Sequence, residues 1–234
     1  MKNTIQDKTK LVNSVFSKVN EKYDLMNDIM SLGVHRIWKN KFLDWMNPQP
    51  NNTLVDVASG SGDIAKMYSK MIKDSALITC IEPNEKMFQI GKSNLNKYKN
   101  ILWHKATAEK LPLKSNTYDF YSISYGLRNV TDINLALKEA FRVIKPGGRF
   151  MCLEFSKVDN ELINFFYQKY SKIIPLIGKY VVGSQQPYNY LVKSIDDFYN
   201  QNELSDLMKQ NGFSNIEYRN LSNGISAIHS GWKI

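Results

Sequence analysis

Between Leu54 and Phe155 the chain alternates short apolar runs with amphipathic stretches, and no other feature limits its fold as much. The runs are Leu54–Ser59, Leu77–Glu82, Ile101–Ala106, Asp119–Tyr125 and Arg149–Phe155. Their length suits a strand and is short for a helix. Helical periodicity marks Ile64 to Ile72, the segment after Pro83 through Lys97, and Asn134 to Ile144, which the Pro146-Gly147-Gly148 turn closes. Strands and helices in such alternation build a parallel sheet with helices on both faces. After this the order changes. Glu203 to Gln210 reads as a helix ended by Gly212. Ser214–Asn220 and Ile225–Gly231 are strand-like and meet at Ser222-Asn223-Gly224, a strong hairpin signal. The expectation is an α/β fold with a mostly parallel seven-stranded sheet that finishes in an antiparallel hairpin.

The flanks divide the chain further. Val12, Val15, Phe16 and Val19, then Met26, Ile29 and Met30, then Ile37, Trp38, Phe42, Trp45 and Met46 recur at helical spacing until Pro48 and Pro50. Residues 1–50 therefore form an expected helical cap. Residues 51–156 form the core, and 198–234 return to complete its sheet. The long segment 157–197, rich in Phe, Tyr and Ile, is too long for a plain connection and is expected to be a helical lid. At 234 residues the chain has the size for one elaborated domain with a self-sufficient core. Its two cysteines, Cys80 and Cys152, allow no disulfide framework and point to a reducing, cytoplasmic compartment. No secretory h-region opens the chain, and Lys169, Lys172 and Lys179 interrupt its most apolar stretch, so no membrane span is expected. The formal net charge is +9, with only five arginines among 31 basic residues. Nucleic-acid readers use arginine forks, so this diffuse lysine field reads as a solvated surface first and as attraction to anionic lipid second.

Chemistry concentrates where the first strand ends. Asp56-Val-Ala-Ser-Gly60-Ser-Gly62-Asp63 places glycines where the backbone can approach a ligand and a helix N-terminus follows. Glu82 lies 20 residues past Gly62, where a carboxylate can accept both hydroxyls of a ribose. Together they imply a nucleoside-containing cofactor. Gly60-x-Gly62-x-x-Ala65 also fits the dinucleotide fingerprint, so the loop alone leaves NAD and S-adenosylmethionine open. Asp63 would repel a pyrophosphate and tolerate a sulfonium. Thr107 and its neighbours follow the third strand, and Ser124 and Tyr125 end the fourth, at the carboxyl edge where such sheets bind ligands. The chain has no Tyr-x-x-x-Lys pair for a short-chain reductase relay. The overall arrangement is that of the Rossmann-like, class I S-adenosylmethionine-dependent methyltransferases, an analogy from fold.

Several longer stretches carry a more specific likeness. These are Lys22 to Asp28 (KYDLMND) with Met30 to Trp38 (MSLGVHRIW), Tyr125 to Thr131 (YGLRNVT), Arg142 to Arg149 (RVIKPGGR), Leu153 to Lys157 (LEFSK) and Asn220 to Gly231 (NLSNGISAIHSG). Through them the chain resembles the C-methyltransferases of ubiquinone and menaquinone biosynthesis, from about Val12 to Ile234. The resemblance implies S-adenosylmethionine as cofactor, with contacts at Ser61, Glu82, Thr107, Ala108 and Ser124, alongside Asp56, Gly60 and Gly62 of the loop. This chain departs from the family pattern by having Ser at 61, Glu at 82 and Thr at 107 where Thr, Asp and Asn are usual. It also implies methylation of a ring carbon in a polyprenylated quinol, either 2-polyprenyl-6-methoxy-1,4-benzoquinol or demethylmenaquinol. An O-methyltransferase on a related phenol is the alternative.

A phenol-type ring becomes a useful carbon nucleophile as its hydroxyl loses a proton, so the site needs positioning and support for a developing phenolate. Arg128, just past the fourth strand, is the expected anion stabiliser, weighed against a structural salt bridge. Asn129 is expected to orient a ring oxygen or a water, or alternatively to cap the next helix. Tyr23, Asp24 and His35 lie on the helical cap and are expected near the substrate, with His35 as readily a core hydrogen-bonder. The histidines and cysteines show no ligand spacing, so no metal is expected. The expected partner is the quinol; nucleic acid is not expected. Peripheral contact with the inner membrane surface, contact with other quinone-pathway enzymes, and a homodimer are compatible with this reading. The segment Phe165 to Val182 reads as a packed lid or as a greasy channel for the isoprenoid tail.

Overall fold

The computed structural model describes residues 28, 31, 33–158, 169 and 186–234. In chain order they form α1 (His35–Met46), β1 (Leu54–Val57), α2 (Asp63–Met71), β2 (Ile78–Ile81), α3 (Glu85–Asn94), β3 (Ile101–His104), β4 (Tyr118–Ser124) and a 3-10 turn at Leu127–Asn129. Then follow α4 (Ile133–Val143), β5 (Ile144–Phe155), α5 (Gln186–Asp196), α6 (Gln201–Gln210), β6 (Ser214–Leu221) and β7 (Ser226–Trp232). The strands make one seven-stranded sheet in the order β3-β2-β1-β4-β5-β7-β6. The pairs from β3 through β5 are parallel, and β7 joins β5 and β6 antiparallel. The expected fold is thus the one observed.

The alternation of strand side chains divides the core into two layers. Leu54, Ile78, Cys80, Met151, Leu153 and Phe155 face one cluster with α1, α2 and α5. Val55, Val57, Ile81, Tyr121, Phe150 and Cys152 face the other with α4 and α6. This is the period-two geometry of a sheet buried on both sides. Helix α1 docks through Trp38, Phe42, Leu43 and Met46, all nearly inaccessible. Each such side chain contributes about 1.5–3 kcal/mol on burial. Trp38 Nε1–H donates to Ser222 Oγ at 3.1 Å, tying α1 to the hairpin turn. Asn47 takes a left-handed conformation (φ 50°) to close the helix before Pro48.

Two local differences have physical causes. The Pro146-Gly147-Gly148 segment does not simply end a helix; it lies inside β5, whose first residue Ile144 already pairs with Tyr118. Its backbone is used there, since Gly147 N–H donates to Lys233 O (2.7 Å) and Lys233 N–H to Gly148 O (3.0 Å). The Asn-Gly turn forms as expected, with Ser222, Asn223 and Gly224 all at positive φ. Of the cap and lid expectations, the stretches before residue 28 and most of 157–197 lie outside the described residues.

Candidate active site

The sheet reverses direction of winding between β1 and β4, and the loops at that carboxyl edge form a crevice. Ala58 (φ 54°), Gly60 (φ 57°) and Gly62 (φ 86°) bend the chain sharply after β1, and Gly62 opens α2. Glycine is needed at Gly62 for this left-handed conformation. Gly91 of α3 is needed for a different reason: a Cβ there would lie 2.7 Å from the Gly60 carbonyl oxygen. Helix α3 therefore presses directly on the bend.

Glu82 locks this bend from the end of β2. Its Oε2 accepts Gly60 N–H and its Oε1 accepts Asn84 N–H, both at 2.9 Å. Burial pushes the carboxyl up to about 7, against the pull of these two backbone donors. Asp56 lies deeper, one strand across. Ser122 Oγ–H donates to its Oδ1 at 2.6 Å, while Oδ2 is buried without a hydrogen-bond partner. Burial raises its carboxyl to about 7 as well. Ser124 Oγ is also buried and unsatisfied. Asp56, Ser124, Gly60, Ser61, Asp63 and Lys39 line the same crevice. Lys39 reaches it from α1 and donates from Nζ to Asp63 Oδ2 at 2.8 Å. Thr107 and Ala108 stand further along the same edge, past β3, where Lys110 N–H closes a turn on Thr107 O. Thr107 is exposed and Ala108 buried.

Arg128 occupies the 3-10 turn after β4. Its Nη1 donates to Glu154 Oε1 (2.6 Å) and to Tyr125 O (2.7 Å), and the guanidinium stacks 5.4 Å from the Phe155 ring centre. Glu154 also accepts the backbone N–H groups of Phe155 (2.9 Å) and Arg128 (3.3 Å). The two side chains are 3% and 2% exposed, so the arginine charge is answered inside the fold. Burial raises the Glu154 carboxyl and Arg128 opposes that rise. Asn129 does not cap α4; Asp132 does, accepting Leu135 N–H at 3.0 Å. Instead Asn129 Nδ2 approaches Tyr125 O (3.4 Å) and Asn129 Oδ1 accepts the Tyr190 hydroxyl (2.9 Å). His35 sits in the core side of α1, its Nδ1 2.9 Å from Ser31 Oγ and 3.6 Å from Asp28. Burial lowers its basicity. Tyr23 and Asp24 lie outside the described residues.

Sequence reasoning missed Lys39, Glu154 and Tyr190. Lys39 left a signal: positions 35, 38, 39, 42, 43 and 46 form the buried stripe of α1, and a lysine on such a stripe is unusual. Glu154 left a similar signal, a carboxylate inside the apolar Arg149–Phe155 run, but its partner is remote in sequence.

The family model of the ubiE/COQ5 methyltransferase family matches residues 2–233. The chain belongs to this family. The ubiquinone/menaquinone biosynthesis C-methyltransferase UbiE of Rickettsia bellii (strain OSU 85-389) is 50% identical over 235 residues, 97% of this chain and 94% of that protein. The protein of the same name from Rickettsia prowazekii (strain Madrid E) is 48% identical over 231 residues, 96% of this chain and 93% of that protein. Among solved structures, a Thermotoga maritima S-adenosylmethionine-dependent methyltransferase, described as a possible histamine N-methyltransferase, superposes with a TM-score of 0.65 at 22% identity, covering 94% of this chain and 99% of that one. An Aquifex aeolicus S-adenosylmethionine-dependent methyltransferase gives 0.62 at 18% identity over 84% and 89%. These structures share the fold.

The crevice suits S-adenosylmethionine on its own terms. Two buried oxygens lack partners, the glycine bend leaves backbone close to the cleft, and the buried Glu82 carboxylate holds that bend through Gly60 N–H. Among the described residues, no helix is long and apolar enough to cross a membrane.

Proposed function

We propose that this protein transfers a methyl group from S-adenosylmethionine to a ring carbon of a reduced polyprenyl quinone precursor, 2-polyprenyl-6-methoxy-1,4-benzoquinol or demethylmenaquinol. The observation that carries the reading is the crevice at the β1–β4 switch point, where a glycine bend held by Glu82 adjoins the unsatisfied oxygens of Asp56 and Ser124. The cofactor, when bound, supplies an activated methyl on a sulfonium. The chain's own residues bind and orient. Glu82 holds the ribose, with Asp56, Gly60, Ser61, Gly62 and Ser124 around the cleft and Thr107 and Ala108 toward the adenine.

On the acceptor side Asn129 is the group that orients a ring oxygen, and Tyr190 fixes its amide by donating to Oδ1. Arg128 carries a charge already paired with Glu154, so we assign it the task of holding the Leu127–Asn129 turn beside the acceptor. Helix α5, which brings Tyr190 to Asn129, stands beside the acceptor. The lysine-rich surface, at a net +9, favours approach to an anionic membrane surface where such a substrate resides. The test is incubation of the purified protein with S-adenosylmethionine and each reduced precursor, read by product mass. Gain of one methyl on either quinol supports the reading, and no product from either overturns it.

A further inference from the structure

Glu82 follows β2 and the Thr107–Ala108 turn follows β3, whereas Lys39 and Asp63 line the crevice together with Ser124 and Tyr125 at the end of β4, a lining that includes neither Glu82 nor Thr107. With the ribose and adenine assigned to the first group, the amino-acid end of the donor falls to the second. That end is a zwitterion, one carboxylate and one ammonium. What meets it is a matching pair: Lys39 Nζ and Asp63 Oδ2, 2.8 Å apart. The Lys39 side chain is 10% exposed and the Asp63 side chain 44%. A lysine so deeply placed on the apolar stripe of α1 costs stability unless it has a task. Packing of α1 does not require it, because Trp38, Phe42, Leu43 and Met46 supply the contact.

We propose that Lys39 binds the carboxylate of the donor's methionine end while Asp63 takes its ammonium. This rests on S-adenosylmethionine being the donor. The ion pair present without ligand is exchanged for two ligand pairs, so the zwitterionic end itself adds no net charge and neither side chain is left uncompensated. The exchange also makes α1 part of the cofactor site: a helix from the cap region closes one wall of the crevice and reads the end of the ligand.

Isothermal titration with three ligands isolates this role: S-adenosylmethionine, its decarboxylated analogue, and methylthioadenosine, which lacks the amino-acid end. A charge-assisted pair of this kind corresponds to about 10- to 100-fold in affinity. The wild-type protein should bind the decarboxylated analogue weaker than S-adenosylmethionine by that factor. In K39Q the factor should collapse toward one, through loss of S-adenosylmethionine affinity alone, with methylthioadenosine binding unchanged. K39M gives the same readout should the glutamine variant fold poorly, and K39R should keep the discrimination. If K39Q or K39M still discriminates against the decarboxylated analogue, or loses methylthioadenosine affinity equally, Lys39 is a structural residue and the proposal is wrong. If the wild type binds none of the three, the cofactor reading itself fails, a distinct result.

Discussion

Replacing Glu154 with Gln tests how the acceptor side of the site is held. The substitution keeps size and one acceptor but leaves the Arg128 guanidinium, 3% exposed, without its counter-charge. It also turns an amide donor toward an oxygen position that now accepts Arg128 N–H. Breaking a buried ion pair from one side costs about 3–5 kcal/mol. For a chain of 234 residues, an unfolding entropy of about 2.1 cal/mol/K per residue gives ~0.5 kcal/mol/K, hence a fall in melting temperature of about 6–10 °C. The assay is guanidinium unfolding paired with calorimetry. R128M/E154M removes both charges and should recover much of the loss, because an apolar replacement of a buried pair is often neutral. An E154Q protein within about 1 kcal/mol of wild type, or a double variant no better than the single, would show that the pair does not hold this turn.

Two pH-dependent outcomes follow from buried groups. The Glu82 carboxyl sits at about 7 and must be ionised to accept ribose hydroxyls, so affinity for the donor should rise as pH increases from 6 to 8. E82Q should bind at least ~10-fold more weakly and lose that slope; calorimetric titration at several pH values checks both. Burial pushes His229 down to about 4, with its Nε2–H donating to Gln201 O at 2.9 Å. Because the unfolded chain takes up this proton near 6.5, stability is fully present above that pH and is lost as pH falls toward 4, by up to ~3 kcal/mol. H229N should flatten this limb in denaturant melts, and an unchanged slope would place the acid sensitivity elsewhere.

The sheet was legible because its grammar is local. Apolar runs such as LVDV and ITCI fit strands, and Ser222-Asn223-Gly224 fits a turn whatever surrounds it. The meeting of the glycine bend with Glu82 was legible for the same reason, since the two share a fixed spacing along the chain, and the structure brings Gly60 N–H to Glu82 Oε2 at 2.9 Å. The Pro146–Gly148 segment misled because its fate depends on Lys233, far along the chain. Arg128 stood out by sequence, yet what it does depends on Glu154, placed beside it only when β4 and β5 pair. Tyr190 on Asn129 is likewise a contact between distant elements with no spacing rule behind it. Lys39 is the intermediate case, readable from a helical stripe once α1 is known to face the sheet.

Where the methyl group ends up is the most direct question. Turnover of a reduced quinol precursor with S-adenosylmethionine labelled with carbon-13 in its methyl group, followed by NMR of the product, answers it. The expected spectrum couples the labelled methyl to ring carbons by direct attachment. A labelled methyl attached through oxygen would contradict C-methylation and move this chain to O-methyl transfer.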